Sequence, residues 1–228
     1  MNKSRIISVT RALVLPLILP VALNAQTMTI VIDGTGSMAN QAGVNLKVAE
    51  AVAIEAAPWG RIQLVVFSDH VRDIPATAVA WKVNDGWQSQ IGPVSLYQRE
   101  QLIERAKDAI VGALASMPFQ IAKATNLPAA LDRAGSESPA GMLVTDGKNE
   151  VSYPLKVVTS SKFPVVLCAA NGDSGAEELQ IAERRERNIK RWAPNVEIFR
   201  CTQLKDAVRR LVMLSNQSKN SLRAVGLR

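Results

Sequence analysis

An aspartate and two hydroxyl side chains follow an apolar segment near the start of the chain. The segment IVIDGTGSM spans residues 30–38 and places Asp33 at the end of a strand-like run, with Thr35 and Ser37 at alternate positions after it. A carboxylate with nearby hydroxyls suits three kinds of chemistry: a phosphate-binding loop, an aspartate that accepts a phosphoryl group, and a site for a hard metal ion. The rest of the sequence distinguishes between them.

Two of these three receive little support from the neighbouring residues. A phosphate loop needs a lysine at the end of a long glycine-rich turn, and GTGS has neither this lysine nor the glycine spacing of a dinucleotide-binding turn. Phosphatases of the haloacid dehalogenase type carry a second aspartate two positions after the first, where this chain has Thr35. A magnesium-dependent phosphoester hydrolase with Asp33 as nucleophile is kept as the alternative function.

A second stretch, NGDSGAE at residues 171–177, resembles the nucleophile segment of trypsin-like proteases. Those enzymes also need a histidine, and the single histidine of this chain, His70, follows a strand-like segment. Catalytic triads are defined by geometry rather than by spacing, so the sequence alone leaves this alternative open. The simpler interpretation is that Ser174 and Glu177 form an S-x-x-E capping box at the start of a helix. We therefore predict no catalytic residues.

The first 25 residues have the organisation of a secretory signal peptide. Lys3, Arg5 and Arg11 precede the apolar stretch ALVLPLILPVALNA, which prolines interrupt and small or polar residues end. This stretch is shorter than the roughly 20 apolar residues that a membrane-spanning helix needs. We expect cleavage after Ala25 and, because no cysteine stands at that boundary, no lipid anchor. The mature protein is then predicted to be periplasmic or secreted.

The charge of the chain does not indicate a nucleic-acid partner. Lysine and arginine number 27 and aspartate and glutamate 20, a net charge of +7, but three of the basic residues and no acidic one lie in the leader. The mature chain has 24 basic and 20 acidic residues, a net charge of +4. In AERRERNIKRW, opposite charges four positions apart are typical of a solvated helix face. Aromatic residues make up 4% of the chain, so no base-stacking surface is predicted.

Strand-length apolar segments alternate with helix-length segments along the chain. Strands are predicted at 26–33, 61–69, 140–146, 163–170 and 195–201. Helices are predicted at 37–57, 96–117, 126–134, 174–193 and 204–214. The segment TAVAWKV, residues 77–83, alternates like an exposed edge strand. This pattern predicts an α/β fold: a doubly wound, mostly parallel central sheet with one antiparallel edge strand and helices on both faces.

The chain is predicted to have three parts. They are the signal peptide at 1–25, one globular domain at 26–213 and a polar, basic tail at 214–228. Ligands of doubly wound sheets bind beyond the carboxyl ends of the strands. Asp33 and Asp146 both lie at such ends, so we expect the functional site at this edge of the sheet.

In these segments the chain resembles the von Willebrand factor A domains. Their metal-ion-dependent adhesion site (MIDAS) combines a DxSxS motif after the first strand, a threonine from a mid-domain loop, and an aspartate after the fourth core strand. The corresponding segments here, in the same order, are DGTGS (33–37), ATNLPAAL (124–131) and LVTDG (143–147). The resemblance extends over residues 27–213. Thr35 replaces the first serine of the motif and keeps its hydroxyl, and Ala124 stands where a glycine is common.

The resemblance implies a site for one divalent cation, Mg²⁺ or Mn²⁺. Its ligands would be Asp33, Thr35, Ser37, Thr125 and Asp146, which offer hydroxyl and carboxylate oxygens directly or through water. Only two of these groups are carboxylates, so the site would keep positive character and attract an acidic group of a partner protein. The predicted function is a non-enzymatic, extracytoplasmic protein-binding module. We also expect the strand-end carboxylates to face solvent.

The two cysteines, Cys168 and Cys201, end the last two predicted strands. In the strand order expected of this family those strands are neighbours, and neighbouring strands lie about 4.7–4.9 Å apart, within the reach of a disulfide. A secreted chain with an even number of cysteines usually oxidises them, so we predict a Cys168–Cys201 disulfide. The alternative is a pair of small buried apolar side chains that point to opposite faces of the sheet.

Overall fold

The computed structural model describes residues 27–39, 42–56, 61–69, 71–73, 96–115, 124–137, 140–151, 157–169 and 177–226. The strands are β1 (Thr27–Asp33), β2 (Arg61–Phe67), β3 (Val71–Asp73), β4 (Ala140–Thr145), β5 (Pro164–Leu167) and β6 (Glu197–Arg200). The helices are α1 (Gly36–Ala39), α2 (Ala42–Glu55), α3 (Leu96–Ala115), α4 (Leu127–Ser136), α5 (Glu177–Trp192) and α6 (Leu204–Gly226). A 3-10 turn, Cys201–Gln203, joins β6 to α6.

The six strands form one sheet in the order β3-β2-β1-β4-β5-β6. The central strand, β1, pairs in parallel with β2 on one side and with β4 on the other, and β4, β5 and β6 continue in parallel. The chain therefore builds the sheet outward from β1 in one direction and then returns to build it from β4 in the other. The predicted doubly wound α/β fold is confirmed, and its switch point lies between β1 and β4.

One edge of the sheet carries a short strand of opposite direction. Val71–Asp73, β3, pairs antiparallel with the end of β2. The segment 77–83, for which the sequence predicted an edge strand, lies outside the described residues.

Alternate residues of the central strands pack on opposite faces of the sheet. Ile30 and Ile32 of β1 join a buried cluster with residues of α2, α3 and α6, whereas Val31 joins a second cluster with residues of α4 and α5. Each fully buried Val, Ile or Leu side chain contributes about 1.5–3 kcal/mol relative to an exposed one. Burial on both faces explains why the strands are continuous apolar runs.

Two helical regions differ from their predicted bounds. The predicted helix at 37–57 corresponds to α1 and α2, with residues 40–41 between them outside the described ranges. The last helix was predicted to end at Leu214, but α6 continues to Gly226 through most of the predicted tail. No proline interrupts this segment and its first glycine is Gly226, so nothing in the local sequence ends the helix earlier.

Other predictions concern parts of the chain that the structure does not describe. The leader at 1–25, His70 and Ser174 all lie outside the described residues. Within the described ranges, no helix is both long enough and apolar enough to cross a membrane.

Candidate metal centre

The loop after β1 brings the first three predicted ligands together. The backbone N–H and the hydroxyl of Thr35 both donate to Oδ1 of Asp33, over 3.0 and 2.6 Å. The hydroxyl oxygens of Thr35 and Ser37 lie 3.1 Å apart. Gly34 lets the loop turn against β2: its N–H donates to the Phe67 carbonyl over 2.8 Å, and a Cβ at this position would collide with the neighbouring strand.

Thr145, the last residue of β4, holds Asp33 in place, although the sequence did not single it out. Its hydroxyl donates to Oδ2 of Asp33 over 2.7 Å and accepts from the Gly147 N–H over 3.0 Å. The two residues meet because β1 and β4 pair in parallel and end at the same edge of the sheet. The sequence shows a threonine directly before Asp146, but its hydrogen-bond partner, Asp33, is 112 residues away in the chain and could not be identified from that position alone.

Asp146 lies in the turn after β4 and is fully buried, with 0% exposure. Its Oδ1 accepts from the Lys148 N–H over 2.8 Å. Among the residues that the structure describes, its Oδ2 is buried and has no hydrogen-bond partner. The ammonium group of Lys148 is 3.9 Å from this oxygen, which is close enough for charge attraction but too far for a hydrogen bond. One carboxylate oxygen is therefore left for another cation or donor.

Thr125, the fourth predicted ligand, is buried in the loop that leads into α4. Its carbonyl accepts from the Glu150 N–H over 3.0 Å, which ties it to the segment after β4. The next residue, Asn126, donates its N–H to the Ser68 carbonyl over 2.7 Å and caps α4 by accepting from the Ala129 N–H over 3.2 Å. The loop is thus fixed between the carboxyl ends of β2 and β4.

Burial controls the charge of Asp33. The expectation that the strand-end carboxylates face solvent is wrong, because Asp33 is 2% exposed. Loss of water is the main reason why the pKa of Asp33 is raised from 3.8 to about 6, and the negative charge of Asp146 also raises it. The hydrogen bonds from Thr35 and Thr145 lower the pKa and so partly oppose this effect. Two buried carboxylates that repel each other favour a cation near both.

The chemistry of these groups fits a hard divalent cation. The donors are two carboxylates and hydroxyl groups, and no cluster of three or more His, Cys, Asp or Glu occurs in the described part of the chain. Oxygen ligands alone suit Mg²⁺ or Mn²⁺, whereas closed zinc sites are usually built from cysteine and histidine. Oδ2 of Asp146, which accepts no hydrogen bond from the described residues, is an oxygen of the required kind.

The disulfide lies beside this edge of the sheet. Cys168 and Cys201 are joined, with Cα atoms 4.7 Å apart, as predicted. Leu167 of β5 pairs with Arg200 of β6, and the cysteines are the next residues of the two strands, so they lie at the same height. The Cys168 N–H also donates to the Thr145 carbonyl over 2.9 Å. The disulfide is therefore connected by a backbone hydrogen bond to Thr145, the residue whose hydroxyl binds Asp33.

No protein-family model matches the sequence, and no curated protein matches it. Similar solved structures include proximal thread matrix protein 1 from the mussel byssus, with a zinc-occupied MIDAS motif. It is 12% identical, with a TM-score of 0.45, and the match covers 84% of this chain and 48% of that protein. The chain thus spans about half the length of the mussel protein.

Two further structures have a comparable degree of similarity. An aerotolerance-related membrane protein from Bacteroides fragilis is 13% identical, with a TM-score of 0.43 and coverage of 84% of this chain and 98% of that one. A von Willebrand factor type A structure from Catenulispora acidiphila is 15% identical, with a TM-score of 0.36 and coverage of 84% and 42%. By its own strand order the chain has a doubly wound α/β fold, and its motif segments resemble those of von Willebrand factor A domains.

Proposed function

We propose that the chain is an extracytoplasmic, non-enzymatic binding module that engages an acidic group of a partner protein through a divalent cation. Asp33, Thr35, Ser37, Thr125 and Asp146 would hold the cation, Mg²⁺ or Mn²⁺. When bound, such a cation supplies positive charge and a coordination position for a carboxylate oxygen of the partner. A fold of the von Willebrand factor A type is consistent with a protein-interaction module.

The observation that carries this proposal is the environment of Asp146. Its side chain is completely buried, yet among the described residues Oδ2 has no hydrogen-bond donor. Leaving a buried acceptor unsatisfied costs about 1–3 kcal/mol, and more when the group is charged. The proximity of Asp33, whose pKa Asp146 helps to raise, adds repulsion. A cation at this position would relieve both effects.

Each of the chain's own residues has a distinct role in this proposal. Thr145 and Thr35 orient the Asp33 carboxylate through hydrogen bonds to its two oxygens. The Ser37 hydroxyl lies 3.1 Å from that of Thr35, so both oxygens can face the same ion. Lys148, which is about one-third exposed, adds a positive charge next to Asp146 and favours an acidic partner.

In the alternative function, a magnesium-dependent phosphoester hydrolase, Asp33 would be the nucleophile. Both of its oxygens accept hydrogen bonds, from Thr35 and from Thr145, and its side chain is almost completely buried. Three of the four lone-pair sites of the carboxylate are occupied, so one site remains to coordinate a cation, whereas the burial of Asp33 limits the approach of a substrate. These contacts favour binding over catalysis. Magnesium-dependent hydrolysis of p-nitrophenyl phosphate that is lost in Asp33→Asn would support the alternative instead.

Cation binding is tested by isothermal titration of chelator-treated protein with Mg²⁺, Mn²⁺ and Zn²⁺. We expect one site for Mg²⁺ or Mn²⁺, with binding lost in Asp33→Asn and strongly weakened in Ser37→Ala. Asparagine is preferable to alanine at position 33 because the buried side chain accepts three hydrogen bonds. Ser136→Ala, which removes an exposed hydroxyl at the end of α4, is the control. Unchanged affinity in Asp33→Asn would contradict the proposed site.

Partner binding is tested separately with immobilised protein and an envelope fraction. Proteins captured in Mg²⁺ should be absent when a chelator is added and absent with the Asp33→Asn variant. Blocking the carboxyl groups of the fraction by amidation should also prevent capture. Capture that is equal under all of these conditions would show that the partner does not bind through the cation.

A further inference from the structure

A pocket of about 410 Å³ opens at the carboxyl ends of β5 and β6, beside the candidate metal centre. Its volume is within the range of about 300–1,000 Å³ that is typical of small-ligand sites. Both halves of the Cys168–Cys201 disulfide line it. Its apolar wall also includes Leu167 at the end of β5, Ala169, and Leu179 and Ala182 on α5.

Two arginines also line this pocket, Arg185 on α5 and Arg200 at the end of β6. Arg200 donates through Nη2 to Glu186 over 3.3 Å. Its Nη1 is buried and has no hydrogen-bond acceptor in the described part of the chain. One acidic residue, Glu178, also lines the pocket. The Arg200 side chain as a whole is 37% exposed, which leaves part of it open to a ligand oxygen.

The pocket is adjacent to the metal centre but separate from it. Gly147, between Asp146 and Lys148, forms the boundary, since a Cβ on Gly147 would lie 2.7 Å from Leu167 Cδ1 and 3.1 Å from Arg185 Cβ. Leu167 and Arg185 line the pocket, whereas Asp146 is not among its lining residues. A ligand in the pocket would therefore need no cation.

We propose that this pocket binds a carboxylate that is attached to an apolar group, such as a medium-chain carboxylic acid or the carboxyl-terminal residue of a peptide. The apolar body would pack against Leu167, Leu179 and Ala182. The carboxylate would accept hydrogen bonds from Arg185 and Arg200, because the planar guanidinium group matches the geometry of a carboxylate. A phosphate or sulfate would leave the apolar wall uncovered and fits less well.

The probe is octanoate, titrated calorimetrically into the oxidised protein in the presence of a chelator. We expect saturable binding at one site, with no binding of octan-1-ol at the same concentrations. The peptide acetyl-Gly-Gly-Leu and its carboxyl-terminal amide distinguish the two sources of the ligand. Binding of the free-acid peptide shows a site for a chain end, and binding of octanoate alone shows a site for a small acid. Either outcome supports the pocket, and failure of both acids to bind overturns it.

Three variants locate the bound probe. Arg200→Gln should weaken octanoate binding roughly tenfold or more, as expected for loss of a charge-assisted hydrogen bond. Ala182→Leu should weaken it as much by filling the pocket, and it leaves the Arg200–Glu186 contact in place. Arg187→Gln is the control, because this exposed arginine of α5 does not line the pocket. Equal binding in all four proteins would overturn the proposal.

A last comparison separates this inference from the proposed function. Octanoate should bind equally well to Asp33→Asn and to wild-type protein with or without Mg²⁺. Binding that requires Mg²⁺ and disappears in Asp33→Asn would place the carboxylate at the metal centre. That result would overturn the pocket proposal while supporting the proposed function.

Discussion

Thr145 and Asp33 are joined by a 2.7 Å hydrogen bond between the ends of β1 and β4, where the strand order of the sheet reverses. The Thr145 hydroxyl also accepts from the Gly147 N–H in the turn that contains Asp146. A single side chain therefore orients the first predicted ligand and the turn that carries the last one.

Replacing Thr145 with valine should reduce both the free energy of unfolding and the cation affinity. Valine keeps the shape but removes the donor to Asp33 and the acceptor for the Gly147 N–H, and unsatisfied buried groups cost about 1–3 kcal/mol. Urea unfolding and isothermal titration measure the two effects. Thr145→Ser retains the hydroxyl and should retain cation binding. An equal loss of affinity in the serine and valine variants would contradict the role of the hydroxyl.

Gly147→Ala should destabilise the protein by about 1–3 kcal/mol. Gly147 has a φ of +75°, and the new Cβ would lie only 2.7 Å from Leu167 Cδ1. The matched control is Gly112→Ala in the exposed part of α3, where a Cβ meets nothing within 4 Å. This second change should stabilise by about 0.5–1 kcal/mol, because alanine is the better helix residue. Urea unfolding should show a lower free energy of unfolding for Gly147→Ala and a higher one for Gly112→Ala, each relative to wild type.

Glu197 should stabilise the fold in a pH-dependent way. It accepts from Arg210 Nε and Nη2 over 2.6 and 2.7 Å, and Lys162 Nζ is 3.0 Å away. These contacts lower the pKa of Glu197 below its ordinary value of 4.5, and the hydrogen bond from Arg210 has the largest effect. Because the folded-state pKa is the lower one, the stabilisation is complete above about pH 4.5 and is lost as the pH falls through the folded-state pKa.

The corresponding variant is Glu197→Gln, measured by urea unfolding from pH 3 to pH 7. It should lose about 1–2 kcal/mol at pH 7, as expected for a bidentate, partly buried ion pair. The difference from wild type should shrink below pH 4.5. Glu183→Gln is the control, because its contact with Arg187 is 3.9 Å long and exposed, and it should have almost no effect. A Glu197→Gln effect that does not change with pH would contradict this account.

The Cys168–Cys201 disulfide should account for a large part of the stability. It closes a loop with a sequence separation of 33. By the chain-entropy model a loop of this length contributes about 3–4 kcal/mol. Urea unfolding of the Cys168→Ser, Cys201→Ser double variant should show a loss of this size. Thiol titration of unfolded, unreduced protein from an oxidising compartment should find almost no free thiol, and two free thiols would refute the bridge.

The leader prediction is tested by the amino terminus of the exported protein. Expressed in a bacterial host with an intact export pathway, the protein should be recovered from the periplasm or the medium. Its amino-terminal sequence should begin near Gln26. Recovery of soluble cytoplasmic protein that retains Met1 would contradict the extracytoplasmic part of the proposed function.

Features that depend on residues near one another in the chain could be predicted from the amino-acid sequence. Continuous apolar runs were sufficient to predict the parallel strands, and helical spacing of apolar residues was sufficient to predict most of the helices. The spacing of Asp33, Thr35 and Ser37 was sufficient to group them, because a tight loop after a strand keeps alternate residues close. The end of α6 was missed, because polar residues are compatible with either a solvated helix or a tail.

The arrangement of the site depends instead on contacts between distant parts of the chain. Periodicity does not show which strands become neighbours, so the hydrogen bond between Thr145 and Asp33 could not be predicted across 112 residues. For the same reason three features could not be predicted: the burial of Asp33, the absence of a donor to Asp146 Oδ2 among the described residues, and the position of Arg200 at a pocket. Burial and hydrogen bonding at strand ends are set by the order of the strands and by the loops that cover them, and both result from packing of the whole sheet.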